Sequence, residues 1–171
     1  MDRLVLAAAE EAEERAYADI SVRTIAKRAG VAPATAYTYF SGKDHLLAEV
    51  LWRRVEASPH LADLSQPLPD RVAETARTMG FGTEGTDALA TCTIGLLGDG
   101  PEAMGVRARS GAEIARRLRS ALGPGADPAV LNVLVVTYTG ALLSAGMGHL
   151  AFDAVPGLMA EAAGLMTATD S

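Results

Sequence analysis

Cysteine occurs once in the 171 residues, at Cys92, and lysine only twice, at Lys27 and Lys43. A single cysteine excludes an intrachain disulfide, and the three scattered histidines His45, His60 and His149 offer no metal-ligand spacing. Aromatic residues make up 5% of the chain, which leaves Ala, Leu, Val and Met to build the core. No glycine-rich phosphate loop follows a strand and no Ser-His-Asp order is visible, so the chain is not expected to be an enzyme. No cofactor and no metal are expected either. An excess of positive charge is missing too. With 15 Lys+Arg against 21 Asp+Glu the net charge is −6, which argues against a protein that coats nucleic acid without selectivity.

Long apolar runs are few. Leu4–Ala9 is followed at once by Glu10-Glu11-Ala12-Glu13-Glu14, too soon for a signal peptide, so a cytoplasmic protein is expected. Ala129–Phe152 holds no Asp, Glu, Lys or Arg over 24 residues, enough to cross a bilayer. Asn132, Thr137, Tyr138, Thr139, Ser144 and His149 interrupt it, its flanks are Asp127 and Asp153, and no cation follows Arg119 to anchor it. A helix buried on nearly all sides within protein fits better than a membrane span.

What is there in quantity is helix. No stretch alternates in polarity as a strand would, and Gly and Pro divide the chain into nine helical segments. These are about Asp2–Tyr17, Val22–Ala29, Pro33–Tyr39, Lys43–Ala57, Asp70–Met79, Asp87–Leu97, Pro101–Leu122, Pro128–Ala151 and Pro156–Thr167. Four begin at proline, where a missing N–H costs nothing. Ser58–Pro69, with three prolines, reads as a linker, and Gly80-Phe81-Gly82 and Gly123-Pro124-Gly125 as joints.

The chemistry concentrates between residues 20 and 45. Ser21 is placed to cap a helix whose apolar side is Ile25 and Ala29, with Ala26 small where two helices cross. Gly30 supplies the left-handed backbone that ends it, and a second short helix follows, with Ala36 and Phe40 turned inward. Two short helices joined this way form a helix-turn-helix, whose second member can enter a DNA major groove. That helix would present Pro33, Ala34, Thr35, Tyr37, Thr38 and Tyr39. Ser41-Gly-Lys-Asp44 reads as a capping box for the next helix, with Lys43 in its first turn, a poor place for a cation unless an anion lies close. From Ile20 to His45 the cations Arg23, Lys27, Arg28 and Lys43 face the lone anion Asp44, giving +3 where the remainder carries −9. Glu10–Glu14 reads as a solvated face turned away from DNA.

At these residues the sequence resembles the TetR family of bacterial transcriptional regulators. The matching words are Ser21-Val22-Arg23-x-Ile25-Ala26, Ala29-Gly30-Val31, Thr35-x-Tyr37-x-Tyr39-Phe40 and Lys43-x-x-Leu46-Leu47, within residues 4–50. The resemblance implies an all-α protein: an N-terminal DNA-binding domain over residues 1–45 and a ligand-binding and dimerisation domain over 46–171. It implies that Arg23, Pro33, Ala34 and Thr38 touch base edges, and that Ser21, Thr35, Tyr37, Tyr39 and Lys43 touch phosphates. The chain departs from the family where Glu11, Ala12, Ala16 and Ala36 replace a bulky residue or glycine. A lighter first-helix core and a strained or shifted end of that helix are therefore expected.

In the C-terminal half Gly140, Ser144 and Gly148 recur every four residues, a stripe that lets helix backbones approach closely. Val155, Leu158, Met159, Ala162 and Met166 follow at helical spacing on the last helix. Two such helices from each of two subunits would make a four-helix bundle, in preference to simple intrachain packing. Met79, Phe81, Ile94, Leu97, Met104 and Tyr138 lie on helices that would surround a ligand in such a fold, and their lack of charge suggests an apolar effector. The expectation is a homodimeric, ligand-responsive regulator, a repressor released by a small molecule, on a palindromic double-stranded DNA operator. The alternative is a ligand-binding helical dimer with a degenerate helix-turn-helix that does not read DNA.

Overall fold

The computed structural model describes residues 1–58, 62–79, 92–98 and 100–168. Among them nine helices follow one another and no strand occurs. They are α1 (Asp2–Glu14), α2 (Val22–Ala29), α3 (Pro33–Tyr39), α4 (Lys43–Ala57), α5 (Leu68–Thr78), a short stretch at residues 92–95 (α6), α7 (Pro101–Leu122), α8 (Pro128–Gly146) and α9 (Val155–Ala168). The all-helical expectation holds. Phe81, His60, the Gly80-Phe81-Gly82 joint and the first part of the segment read from Asp87 lie outside the described residues.

The chain divides into two compact units, Met1–Glu56 with Gly85–Arg109, and Ala57–Glu84 with Ser110–Ser171. In the first, α1 buries Leu4, Val5, Ala8 and Ala12, three to four residues apart, against α2. Ala12, Ala26 and Ala36 are fully buried, so the alanines leave no exposed gap but close helix crossings. The expected disturbance at the end of α1 takes a mild form. The helix stops at Glu14 rather than Tyr17, Arg15 and Ala16 are extended, and Ala16 has φ −65, an unstrained value for alanine. A 3-10 turn, Tyr17–Asp19, then leads to the Ser21 cap.

The end of α6 rests on α4. A methyl group added at Gly95 would lie 2.8 Å from the Leu47 Cβ and 3.2 Å from the Asp44 carbonyl oxygen. Gly95→Ala is therefore expected to cost about 1–3 kcal/mol through overpacking, read as a lowered denaturant midpoint with an unchanged m value.

In the second unit α9 packs on α5 and α8. Leu131, Leu134, Tyr138, Ala141, Leu142 and Ala145 form the buried face of α8, meeting a core that includes Val72, Met79, Leu118, Val155 and Met159. The expectation that α8 is covered on nearly all sides is corrected: Val133 and Val136 are 51% and 70% exposed on its other face. By length and composition α8 could cross a membrane, with mean hydropathy 1.6 and a third of its apolar window buried. It also ends earlier than the uncharged run, at Gly146 instead of Ala151. Gly148 adopts φ +77 and the His149 N–H returns to the Ser144 carbonyl, a reversal that closes the helix. Gly148 therefore belongs to the turn, and the small-residue stripe reduces to Gly140 and Ser144.

Candidate nucleic-acid interface

The two helices expected to face DNA are built by local rules. Ser21 Oγ accepts from the Thr24 N–H at 3.1 Å, while Thr24 Oγ1 accepts from the Ser21 N–H at 3.1 Å, a reciprocal cap. At the other end Gly30 has φ 65, and the Val31 N–H bonds the Ala26 carbonyl at 3.0 Å. Pro33 starts α3 at its first turn, and the Phe40 N–H, bonded to the Ala36 carbonyl, ends it.

Of the seven residues of α3 only Ala36 is buried. Pro33, Ala34, Thr35, Tyr37, Thr38 and Tyr39 are exposed, with the two tyrosines 52% and 51% accessible. Two large aromatics thus stand half in water on a seven-residue helix, open to a partner. Arg23 is exposed on α2, with Lys27 one turn further along, a residue the sequence reading counted in the charge but left out of the contact set. Ser21 is half-buried and its hydroxyl is engaged in the cap. All of these residues belong to the first unit.

The charge of this face differs from the count over residues 20–45. Arg28 turns toward α1, where Nε donates to Glu11 at 2.7 Å, Nη1 donates to Glu14 at 2.8 Å, Nη2 donates to Glu14 as well, and Glu10 stands 3.7 Å away. Hydrogen bonds to Glu14 and then Glu11 raise the Arg28 pKa further above its ordinary value. The reading of Glu10–Glu14 as a solvated face is thus corrected at Glu11, which is only 2% exposed and sits between Arg28 and Arg15. A carboxylate can replace the expected bulky apolar residue because two guanidiniums meet it.

The start of α4 also departs from expectation. Asp44 does not serve a capping box with Ser41: its carboxylate accepts from the Tyr17 hydroxyl. The Ser41 hydroxyl instead helps hold Glu102 below the usual carboxylate range, second to Glu102's own backbone N–H. Lys43 Nζ donates to the Tyr17 carbonyl at 2.9 Å and lies 3.8 Å from the centre of the Tyr17 ring. These partners account for a cation in the first turn without a phosphate. Burial, reinforced by Asp44, pushes the Tyr17 phenol up to about 12, so it remains a hydrogen-bond donor at neutral pH.

The other candidate residues separate. Met79 and Tyr138 are buried in the second unit, each 1% exposed, whereas Leu97 and Met104 are 55% and 56% exposed in the first, with Ile94 intermediate. Among the expected dimer residues, Val155 and Met159 are fully buried within their own unit, and Leu158, Gly140 and Gly148 are exposed, with Ser144, Ala162 and Met166 intermediate. Cys92 is 2% exposed and burial pushes its thiol up to about 12, the state of an inert core cysteine.

Comparison with known proteins agrees with this geometry. The family model described as bacterial regulatory proteins, tetR family, matches residues 4–50. Helix-turn-helix-type transcriptional regulators from Mycobacterium bovis and Mycobacterium tuberculosis are each 44% identical over 170 residues, covering 97% of this chain and 80% of theirs. In fold the chain is similar to a TetR transcriptional regulator from Rhodococcus sp. RHA1, with TM-score 0.74 at 20% identity over 99% of this chain and 95% of that one. A second Rhodococcus transcriptional regulator gives TM-score 0.66 at 17% identity, covering 98% of this chain and 96% of that one.

Proposed function

Because the chain belongs to the tetR family of bacterial regulatory proteins, we propose that it works as a homodimeric repressor in the cytoplasm, reading a palindromic operator with α3 of each subunit. The observation that carries this reading is the exposure of every α3 residue except Ala36 on a capped, well-packed helix-turn-helix. The two copies of α3 enter successive major grooves on one side of the duplex, ~34 Å apart. Arg23 supplies a bidentate guanine contact, Pro33 and Ala34 make apolar contact with base edges, and Thr38 adds a hydroxyl. Thr35, Tyr37, Tyr39 and Lys43 meet phosphates, as does Ser21 to the extent its cap allows.

The uncovered face of α8, with Val133, Val136 and Gly140, together with Leu158 of α9, is assigned to the second subunit rather than to lipid. Gly140 and Gly157 support this, since a Cβ at either would meet nothing within 4 Å in the single chain, leaving room for a partner backbone. A small apolar effector bound in the C-terminal half tilts α4 and spreads the two α3 helices. A ligand that prefers the spread state by ~3 kcal/mol weakens operator binding about a hundredfold. The alternative of a degenerate helix-turn-helix loses its motive, because Ala12 and Ala36 are fully buried and Ala16 is unstrained.

Replacing Arg23 tests the base-reading assignment. Arg23→Ala is expected to relax preference at one symmetric pair of operator positions by about 1–3 kcal/mol, measured by competition between duplexes that differ only there. Equal weakening on every duplex would move Arg23 to the phosphates.

A further inference from the structure

We infer that Tyr17, on the turn before α2, is a positioning residue of the DNA interface that holds the Lys43 ammonium in place for a backbone phosphate. The inference rests on the assignment of Lys43 as a phosphate contact and adds a residue which that assignment does not contain.

Tyr17 is held at both ends. Its backbone lies in a 3-10 turn closed by the Asp19 N–H on the Ala16 carbonyl at 3.0 Å and the Ile20 N–H on the Tyr17 carbonyl at 3.4 Å. Its hydroxyl donates to the Asp44 carboxylate. Asp44 is itself confined, since a methyl group added at Gly98 would lie 2.7 Å from the Asp44 Cβ. The ring between these two fixings has the Lys43 ammonium over its face at 3.8 Å, and the Tyr17 carbonyl takes one ammonium N–H at 2.9 Å.

The arrangement does three things for a phosphate contact. Lysine loses more rotamer freedom on immobilisation than almost any other side chain, and here much of that loss has occurred before DNA arrives. The ring face and the carbonyl oxygen offset the unfavourable position of a cation at the positive end of α4. The phenol also occupies the neighbouring Asp44 carboxylate, and among the described residues no ion pair joins Lys43 to an acid. An ammonium has three N–H groups; with one on the Tyr17 carbonyl and one side turned to the ring, an N–H remains for a phosphate oxygen on a side chain that is only half-buried.

The test varies the ring while keeping its shape. Full-length protein carrying Tyr17→Phe, or 3,4,5-trifluorophenylalanine at position 17, is titrated with a selected operator duplex, each with and without Lys43→Ala. Lys43→Ala alone is expected to weaken all duplexes alike and to make the salt dependence shallower by about one. Phenylalanine should bind within about threefold of the parent, and the fluorinated ring, with its face made electropositive, about three- to tenfold more weakly. That loss should vanish when Lys43 is absent. An equal loss with and without Lys43 overturns the inference and leaves Tyr17 a purely structural residue. Unchanged affinity and salt slope in Lys43→Ala overturns instead the phosphate contact beneath it.

Discussion

Val136→Glu is expected to leave the proposed dimer a folded monomer and to weaken operator binding by at least about a hundredfold. Val136 is the most exposed large apolar residue of α8, at 70%, and makes little contribution to the core of its own chain. In an isologous interface each substitution appears twice, so two carboxylates would have to be buried in one apolar contact. An unpaired charge removed from water costs several kcal/mol, comparable with the whole stability of many dimers. A monomer reaches a single half-site and loses the gain from the second. Sedimentation and duplex titration on the same preparation read both effects, while helical content and melting of the monomer confirm that the fold survives. Val136→Ala should remain a dimer. A Val136→Glu protein that stays dimeric would place the subunit contact elsewhere.

A comparably large loss, this time of stability, is expected from Glu113→Gln on α7. Arg117 is 2% exposed, its Nε donates to Glu113 at 2.7 Å, and its Nη2 donates to the Ser58 carbonyl at 3.3 Å. Glu113 also receives two hydrogen bonds from Arg116, both 2.7 Å. Removing the carboxylate leaves a buried guanidinium facing a neutral amide, which costs about 3 kcal/mol when such a pair is well desolvated. For a chain of this size that lowers the melting temperature by about 6–12 °C. Arg116→Gln, at the solvent side of the same carboxylate, should change stability by less than about 1 kcal/mol.

Hydrogen bonds from Arg116, and then from Arg117, hold the Glu113 carboxyl down at about 2, against the opposing effect of burial. Its contribution is therefore complete above the ordinary glutamate value near 4.5 and is lost as the pH falls toward 2. Acid unfolding of Glu113→Gln should show less of that dependence between pH 4.5 and 2. An unchanged acid limb and melting temperature would mean that the pair contributes little.

The helix-turn-helix was legible because its determinants are local. A serine three residues before a threonine, a glycine at the turn and a proline at the start of α3 each fix backbone through neighbours no more than a few residues away. What escaped the sequence came from across the fold. Lys43 signalled a missing partner by its position, but the partner, Tyr17, lies 26 residues earlier and acts through its carbonyl and ring. Glu11 stands within a run of acids that looks solvated as a group, and only the packing of α2 on α1 places Arg28 against it. Along α8 the uncharged run concealed the helix end, because Gly148 fits a small-residue stripe and a left-handed turn equally well by composition. The candidate effector site was the least legible. Met and Leu at helical spacing mark burial without saying against what, and Leu97 and Met104 prove exposed while Tyr138 is buried.

The central claim is that a paired molecule presents two copies of α3 to one duplex. Selecting bound sequences from a random DNA pool at low salt, with the mass of the complex measured on the winning duplex, tests it most directly. An inverted repeat is expected, with half-site centres about one helical turn apart, bound by two chains, and with one symmetric position relaxed by Arg23→Ala. Enrichment of no sequence, or of an asymmetric site bound by one chain, would contradict it.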